Sequence, residues 1–543
     1  MNNIWKITVL SLLFSCCFLQ NSAAEKNFRE RFRICVALND SNLAKSARAS
    51  LEDTSEFTEE HFALLKKNGV NMVRIDVSNP DRFEKILLPM LKKYDMQVLI
   101  LLGFAYFGYE SETWSEDVLE KRIQAAVDFV KKHKSNPLIL GFALRENTSK
   151  DKAKKLNDIY SSILKKVPGV KFYRINSDPE ASDKLVSAES SIYGFLRHPF
   201  RRHSLEKDFV NPLQSLKSLR EASFRAQMDA NEKKDSYLLA ISIGGRIVNA
   251  DRFLKNPQYK DHEKQIRQYL RSKQFGWQTT KVGNRNISWA WMSYRPPENT
   301  IRAIIWSGIL TGAKTVLFYS YSPVHDYNTL TPAETVIKLD KSNGKNYWEY
   351  NWFSLAGRPN MPNQNLIELS ETMKGISAFS YLIGDMRKCR KTDALWLDTD
   401  NRESVFSSEF TLPDIKGRIA VLHNGTIGTV RSEITIDESG NLIGFIPEKK
   451  MLATEMKSVL PPNMHIYRLD TGKEVAVSSD KKASLDILPG GGILLFLGTE
   501  KDFAELTSRY TFPFERKKSS RKTDTPARKQ KTQPPAASSS DWL

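Results

Sequence analysis

The sequence predicts an α/β fold, a (β/α)8 TIM barrel followed by a small all-β sandwich. Short β-rich runs alternate with longer amphipathic stretches over about two-thirds of the chain, the pattern of βα units on a parallel sheet. Eight such runs can be counted in series, which fits a closed barrel better than a doubly wound sheet. From Ala394 onward the runs shorten and are separated by Asn-Gly, Ser-Gly and Gly-Gly turns, as in a sandwich.

Taken in order, residues 1–24 read as a secretory signal peptide. Lys6 supplies the positive start, Ile7 to Leu19 the apolar run, and Ser22-Ala23-Ala24 a small-residue cleavage site. The expected location is therefore secreted, periplasmic or at the cell surface. That run is too short for a comfortable span, and no later stretch approaches the roughly 20 apolar residues a membrane helix needs.

Residues 25–384 carry the barrel. Its strands are expected at Arg33–Leu38, Asn71–Val77, Gln97–Gly103, Leu138–Leu144, Val170–Asn176, Leu185–Ile192, Tyr237–Ile243 and Thr315–Tyr321. Helical patterns fall between them at Glu59–Lys67, Arg82–Lys93, Asp117–Lys132, Lys152–Lys166, Ser215–Asn231 and Asn299–Leu310, with a last helix from about Gln364. The segment Arg246 to Arg295 is a long loop after strand seven, and such loops at a barrel's active face are more often functional than idle. Residues 385–500 form the β-sandwich, with runs at Arg418–Leu422, Val430–Ile436 and Ile493–Leu497.

The last stretch, 501–543, reads as a basic disordered tail. Eight of the chain's basic residues and only three acids lie from Glu515 onward, so part of the net charge of +18 is concentrated there. The tail is either solvated or grips an anionic surface. With no nucleic-acid module beside it in an exported chain, nucleic acid is not an expected partner. After Cys16 and Cys17 leave with the signal, only Cys35 and Cys389 remain, too few for a disulfide framework. Cys35 lies in an apolar strand and reads as a buried, inert thiol. No Cys/His cluster has metal-ligand spacing, so neither a metal nor a cofactor is expected.

Chemistry in such a barrel comes from the C-terminal tips of its strands. Asp76 ends strand two, Glu146 ends strand four and Glu189 falls within strand six. Glycosidic hydrolysis needs one carboxylic acid to protonate the leaving oxygen and a second carboxylate as nucleophile or base. Glu146 is the leading candidate, flanked by Arg145 and Asn147 as substrate contacts. Aromatic faces that stack on pyranose rings cluster after the strands: Tyr106, Phe107 and Tyr109 after strand three, Tyr193 after strand six, and Trp289, Trp291 and Tyr294 in the long loop. Arg197 opens a basic loop, Arg197 to His203, whose guanidinium forks suit carboxylate or sulfate groups; a solvated loop paired with Glu206 and Asp208 is the alternative.

Two segments resemble the (β/α)8 glycoside hydrolases of the β-galactosidase-like group. Asn136-Pro137 through Gly141 to Arg145-Glu146-Asn147 is similar to that group's strand-four signature. Arg295-Pro296-Pro297-Glu298, then Arg302, Trp306 and Gly312-Ala313-Lys314 leading to Phe318-Tyr319-Ser320-Tyr321, is similar to its passage from helix seven to strand eight, with proline in the first helical turn and Gly312 as the C-terminal cap. The resemblance implies a secreted carbohydrate-active barrel acting on a polysaccharide or oligosaccharide. Two departures accompany it. Counting from Gly141, the group's catalytic glutamate falls at Asn147, with Glu146 one place early, and strand seven carries Ser242 and Ile243 where the nucleophilic glutamate would stand.

Three functions stay open on these residues: a hydrolase with Glu146 as general acid and Asp76 or Glu189 activating water, a catalytically inactive barrel that binds glycan, and a surface structural or assembly protein on an inherited scaffold. The expectation leans to hydrolysis.

Overall fold

The computed structural model describes residues 31–38, 59–105, 114–146, 150–177, 190–197, 199–200, 211–232, 236–242, 245–247, 278–282, 285–289, 292–321, 357–358, 361–362, 364–389, 395–436 and 442–514. The strands in the first part are β1 (Arg33–Leu38), β2 (Met72–Asp76), β3 (Gln97–Leu101), β4 (Ile139–Ala143), β5 (Phe172–Asn176), β6 (Ser190–Arg197), β7 (Ser236–Ser242), β8 (Gly245–Ile247), β9 (Gln278–Val282), β10 (Arg285–Trp289), β11 (Met292–Arg295) and β12 (Thr315–Tyr321). Eight of them close a barrel in the order β1-β12-β7-β6-β5-β4-β3-β2.

Side chains alternate across a strand, so each barrel strand has an inner and an outer set. Cys35, Ala37, Met72, Leu99, Leu101, Ala143, Tyr173, Ile175, Leu196, Leu238, Ala240 and Leu317 form one buried cluster that contains no helix residue, which makes it the barrel interior. Their strand neighbours, among them Ile34, Val36, Val73, Ile75, Phe142 and Phe195, belong to the larger cluster shared with the helices.

Strand six lies later than its expected place at Leu185–Ile192. The apolar residues after Ser190 do the pairing, with Ile192 opposite Tyr173 and Gly194 opposite Ile175. Gly194 interrupts that apolar run in the sequence, but here it lets the two strands run close together. A Cβ there would lie 2.7 Å from the Arg174 carbonyl oxygen.

The tip of strand four is where the working residues emerge. β4 stops at Ala143, and the next N–H, that of Leu144, leaves the ladder to donate to the Tyr160 hydroxyl at 2.9 Å. Strict alternation from Phe142 and Leu144, which both face the helices, would send Glu146 outward as well. Because the ladder has already ended, the chain turns and Glu146 enters the barrel. Tyr160→Phe should therefore strand a buried N–H and cost about 1–3 kcal/mol, readable as a lower urea midpoint with unchanged slope.

The helices of the barrel layer are α1 (Glu59–Lys67), a turn at Pro80–Arg82 and π-turn at Phe83–Leu87 leading into α2 (Leu88–Lys93), then α3 (Glu116–His133), α4 (Lys150–Lys166), α5 (Pro212–Glu232), α6 (Thr300–Thr311), α7 (Gln364–Ile376) and α8 (Ser380–Asp385). No described helix is long and apolar enough to cross a membrane. The expected helix before strand eight starts at Thr300, so Pro296 and Pro297 stand in the turn ahead of it and not in its first turn; the Thr300 hydroxyl donates to the Pro297 carbonyl at 2.6 Å. Its end is as expected, with Gly312 in the left-handed region at φ 85°.

The second part holds a short hairpin of β13 (Gly357–Arg358) and β14 (Met361–Pro362), then β15 (Arg387–Lys388), β16 (Leu397–Thr399), β17 (Val405–Leu412), β18 (Ile415–Asn424), β19 (Gly428–Ile436), β20 (Leu442–Pro447), β21 (Leu452–Ser458), β22 (His465–Arg468), β23 (Lys482–Ile487) and β24 (Gly492–Gly498). A five-stranded sheet, β15-β17-β18-β24-β22, packs on a three-stranded one, β16-β21-β23, around Leu397, Val405, Leu422, Met456, Ile466, Leu485 and Leu495. The run Val430–Ile436 does not join this sandwich. Its strand, β19, belongs to a separate sheet β19-β20-β11-β8, in which β20 pairs with β11 from the long loop after strand seven. A helix, α9 (Glu500–Arg509), occupies the start of the stretch read as tail, closed by a capping box between Thr499 and Asp502.

The sandwich packs on α6, and this explains that helix's composition. Eleven of its residues, from Thr300 to Thr311, are buried, because neighbouring helices cover one side and β17 and β18 the other. At the seam the buried His423 donates from Nδ1 to the Gly491 carbonyl at 2.9 Å and accepts from the Ser307 hydroxyl at 3.2 Å. Burial holds this imidazole neutral, its pKa pushed down to about 4.

Candidate active site

Three strands converge on Glu146 inside the barrel. Arg74, third of the five residues of β2, shares the inner face with Met72 and donates to both carboxylate oxygens, Nε to Oε1 at 3.0 Å and Nη2 to Oε2 at 2.7 Å. Tyr173 on β5 donates its hydroxyl to Oε1 at 3.0 Å. Tyr319 on β12 donates to Oε2 at 2.8 Å. The Glu146 side chain keeps 12% of its exposure and that of Arg74 only 5%, so the pair sits at the mouth with the arginine beneath.

A bidentate arginine–carboxylate fork with both remaining lone-pair directions taken by hydroxyls uses the full acceptor capacity of the group. Such a carboxylate is an acceptor only. The donors are held in their donating forms too. Burial, reinforced by the Glu146 charge, keeps the Tyr173 and Tyr319 phenols far above their ordinary range. For Arg74, burial works against the cation, but the charges of Glu146 and the tyrosines outweigh it and the guanidinium is stabilised. Cys35 lines the same interior, and burial pushes its thiol well up, so it is no nucleophile.

This arrangement corrects the role expected for Glu146. A general acid must carry a proton to the leaving oxygen, and here four donors occupy the places a proton would take. The geometry suits a fixed anion that stabilises a positive charge developing above it.

The other candidates are placed as follows. Asp76 ends β2 on the inner face, buried, with its carboxylate against Gly103, where a Cβ would come within 1.9 Å of Oδ1. Only glycine leaves room for that side chain. Arg145 is buried at the strand-four tip. Tyr193 does not follow strand six; it stands within it, on the outer face in the core shared with the helices. Arg197, the last residue of β6, lies over the Phe195 ring at 5.0 Å, and Phe195 also faces the helices, so Arg197 flanks α5 and not the mouth. Tyr294 lies in β11. Glu189, Asn147, Tyr106 and Trp291 lie outside the described residues.

Arg74, Tyr173 and Tyr319 were not singled out from sequence as site residues. Arg74 had a legible signal, since an arginine in the middle of the run Met72-Val-Arg-Ile-Asp76 must find a partner if both faces of that strand are buried. The two tyrosines had none beyond their parity on strands five and eight.

The fold and this site together define a class: a (β/α)8 barrel with an appended β-sandwich and a carboxylate fixed at its C-terminal mouth. No protein-family model and no curated protein matches the chain. Solved structures with a similar architecture include AmyP in complex with maltose, 9% identical over 86% of this chain and 96% of that one, with a TM-score of 0.41. The trehalulose synthase MutB from Pseudomonas mesoacidophila is 10% identical over 81% and 94%, with a TM-score of 0.38. The cellulose synthase subunit Z of Clostridioides difficile is 13% identical over 44% and 89%, with a TM-score of 0.30. At such scores the likeness says nothing about substrate or reaction.

Proposed function

We propose that this is an exported carbohydrate-active protein whose barrel mouth binds a poly- or oligosaccharide over Glu146, with glycosidic hydrolysis as its reaction. One observation carries the reading: a carboxylate, locked in place by Arg74, Tyr173 and Tyr319, at the C-terminal end of a (β/α)8 barrel. An anion fixed there lowers the energy of an oxocarbenium-like centre above it without having to reorganise. Glu146 then serves as electrostatic stabiliser, and the proton for the leaving oxygen comes from a second acid, Asp76 or Glu189. The signal-like residues 1–24 support export.

The full set of donors on Glu146 favours a second reading, binding without turnover, because no lone pair is left to attack. A panel of neutral, uronic and sulfated glycans, assayed for both binding and hydrolysis with wild type and Glu146→Gln, separates the two. The hydrolase reading expects turnover to fall at least about 100-fold in the variant, the scale of losing one electrostatic stabiliser, with sugar affinity changed far less. Turnover unaffected by the substitution removes Glu146 from the mechanism; binding with no turnover in wild type leaves the glycan-binding reading. The anionic-glycan form of the proposal rests on the basic sequence that follows Arg197, from His198 to His203, and equal retention of neutral and sulfated sugars across a salt series would remove it.

A further inference from the structure

Two cations meet at the seam between α5 and the sandwich, far along the chain from Glu146. The even-numbered residues of β17, Phe406, Ser408 and Phe410, face the barrel side, because both phenylalanines belong to the core shared with its helices. Opposite them on α5, Arg220 and Phe224 are one helical turn apart on the same face. Arg220 lies over the Phe406 ring at 4.3 Å. Lys388, from the adjoining strand β15, sits over the Phe224 ring at 3.2 Å and donates to the Ser408 hydroxyl at 3.3 Å.

Neither cation has an acid within ion-pair distance among the described residues. The nearest carboxylates that act on Arg220 are Glu221 and Glu403, and Glu403 is already bound to Lys217. The Arg220 Nε–H is buried and has no hydrogen-bond partner. Burial pushes the Lys388 ammonium down to about 7, Cys389 opposes the shift, and the Arg220 charge adds a smaller push in the same direction as burial. Aromatic faces offset part of the cost of such burial, but they do not use N–H donors, and two like charges side by side remain uncompensated. A single negatively charged acceptor between them would take the Arg220 Nε–H, a Lys388 proton and the Ser408 hydroxyl together.

We propose that this seam is an oxyanion site, in which a sulfate, or a sulfate ester carried on a sugar, bridges Arg220 and Lys388 with Ser408 as third donor. It is independent of the barrel mouth, and its occupation would clamp the sandwich onto α5. Arginine supplies the fork and lysine the point charge, the pairing common in oxyanion recognition.

Isothermal calorimetry on the full chain tests it, with sodium sulfate as one probe and a sulfated monosaccharide as the other, against chloride at matched ionic strength. Saturable binding of either probe is expected, weakened at least tenfold in Arg220→Met and in Lys388→Met, whose stems still pack on the phenylalanine rings, and retained in Lys388→Arg. Tighter binding of the sugar ester than of free sulfate would assign the oxyanion to a glycan; the reverse would assign it to the free ion. No saturable heat from either probe, or equal affinity in wild type and both methionine variants, would overturn the site. Circular dichroism of each variant confirms that a lost signal is not lost folding.

Discussion

Arg74→Met is expected to destabilise the protein by about 3–5 kcal/mol and, if the barrel hydrolyses glycans as proposed, to abolish that turnover. The methionine leaves Glu146 in the barrel mouth with two hydroxyl donors and no countercharge, which is the costly way to break a buried pair. Removing both charges should be far milder. Arg74→Met with Glu146→Met replaces the pair by apolar side chains of similar length, and should recover a large part of the lost stability while remaining inactive. Denaturant unfolding of the two variants and wild type decides it. If the double variant is as unstable as the single one, the fork is not what holds this region together, and packing around Tyr173 and Tyr319 is.

The second large effect depends on pH. Asn299, the residue before α6, has a left-handed φ of 69°, and its side chain makes no cap hydrogen bond. Glu368 of α7 supplies one from outside, accepting the Arg302 N–H at 2.8 Å. The helix N-terminus and these N–H bonds favour the ionised carboxylate, but burial wins and raises its pKa from 4.5 to about 7. The folded state therefore holds this proton more tightly than the unfolded state. Its contribution to stability is complete below about pH 4.5 and is lost as pH rises through about 7, on the order of 3 kcal/mol in all. His423, with its depressed pKa, works in the opposite direction and loses stability as pH falls below its unfolded value. The difference between wild type and Glu368→Gln at pH 5 and at pH 8 cancels the histidine and isolates the glutamate. Wild type should lose roughly 2–3 kcal/mol more than the variant over that interval. Equal losses would show that Glu368 does not titrate there.

Much of this architecture is legible in the chain, for reasons that differ by element. β1 and β12 begin and end where their apolar runs do, because strands buried on both faces leave a continuous hydrophobic signal. α7 begins at Gln364 and α1 spans Glu59–Lys67, both as their periodicity indicates. Strand six lies later than its apolar run suggests, because which residues pair is set by the neighbouring strand β5. α9 is masked in the sequence although Thr499 and Asp502 carry a capping signal, since the basic stretch beyond it dominates the local composition. The strand β19 was assigned to the sandwich because alternation reports that a strand exists, and nothing local reports which sheet it joins.

The sequence by itself determined the barrel, the sandwich and the presence of Glu146 at the fourth strand's tip. Those are consequences of local periodicity and of where apolar runs stop. Only the tertiary structure decided that Glu146 turns inward, since that depends on Tyr160, from a helix sixteen residues on, drawing the Leu144 N–H out of the ladder. Only the tertiary structure likewise chose its partners. Arg74, Tyr173 and Tyr319 stand 72, 27 and 173 residues from it, and barrel closure alone brings their donors to one carboxylate. Electrostatics and hydrogen bonding act across a few ångströms of space, and the distance between residues along the chain does not enter.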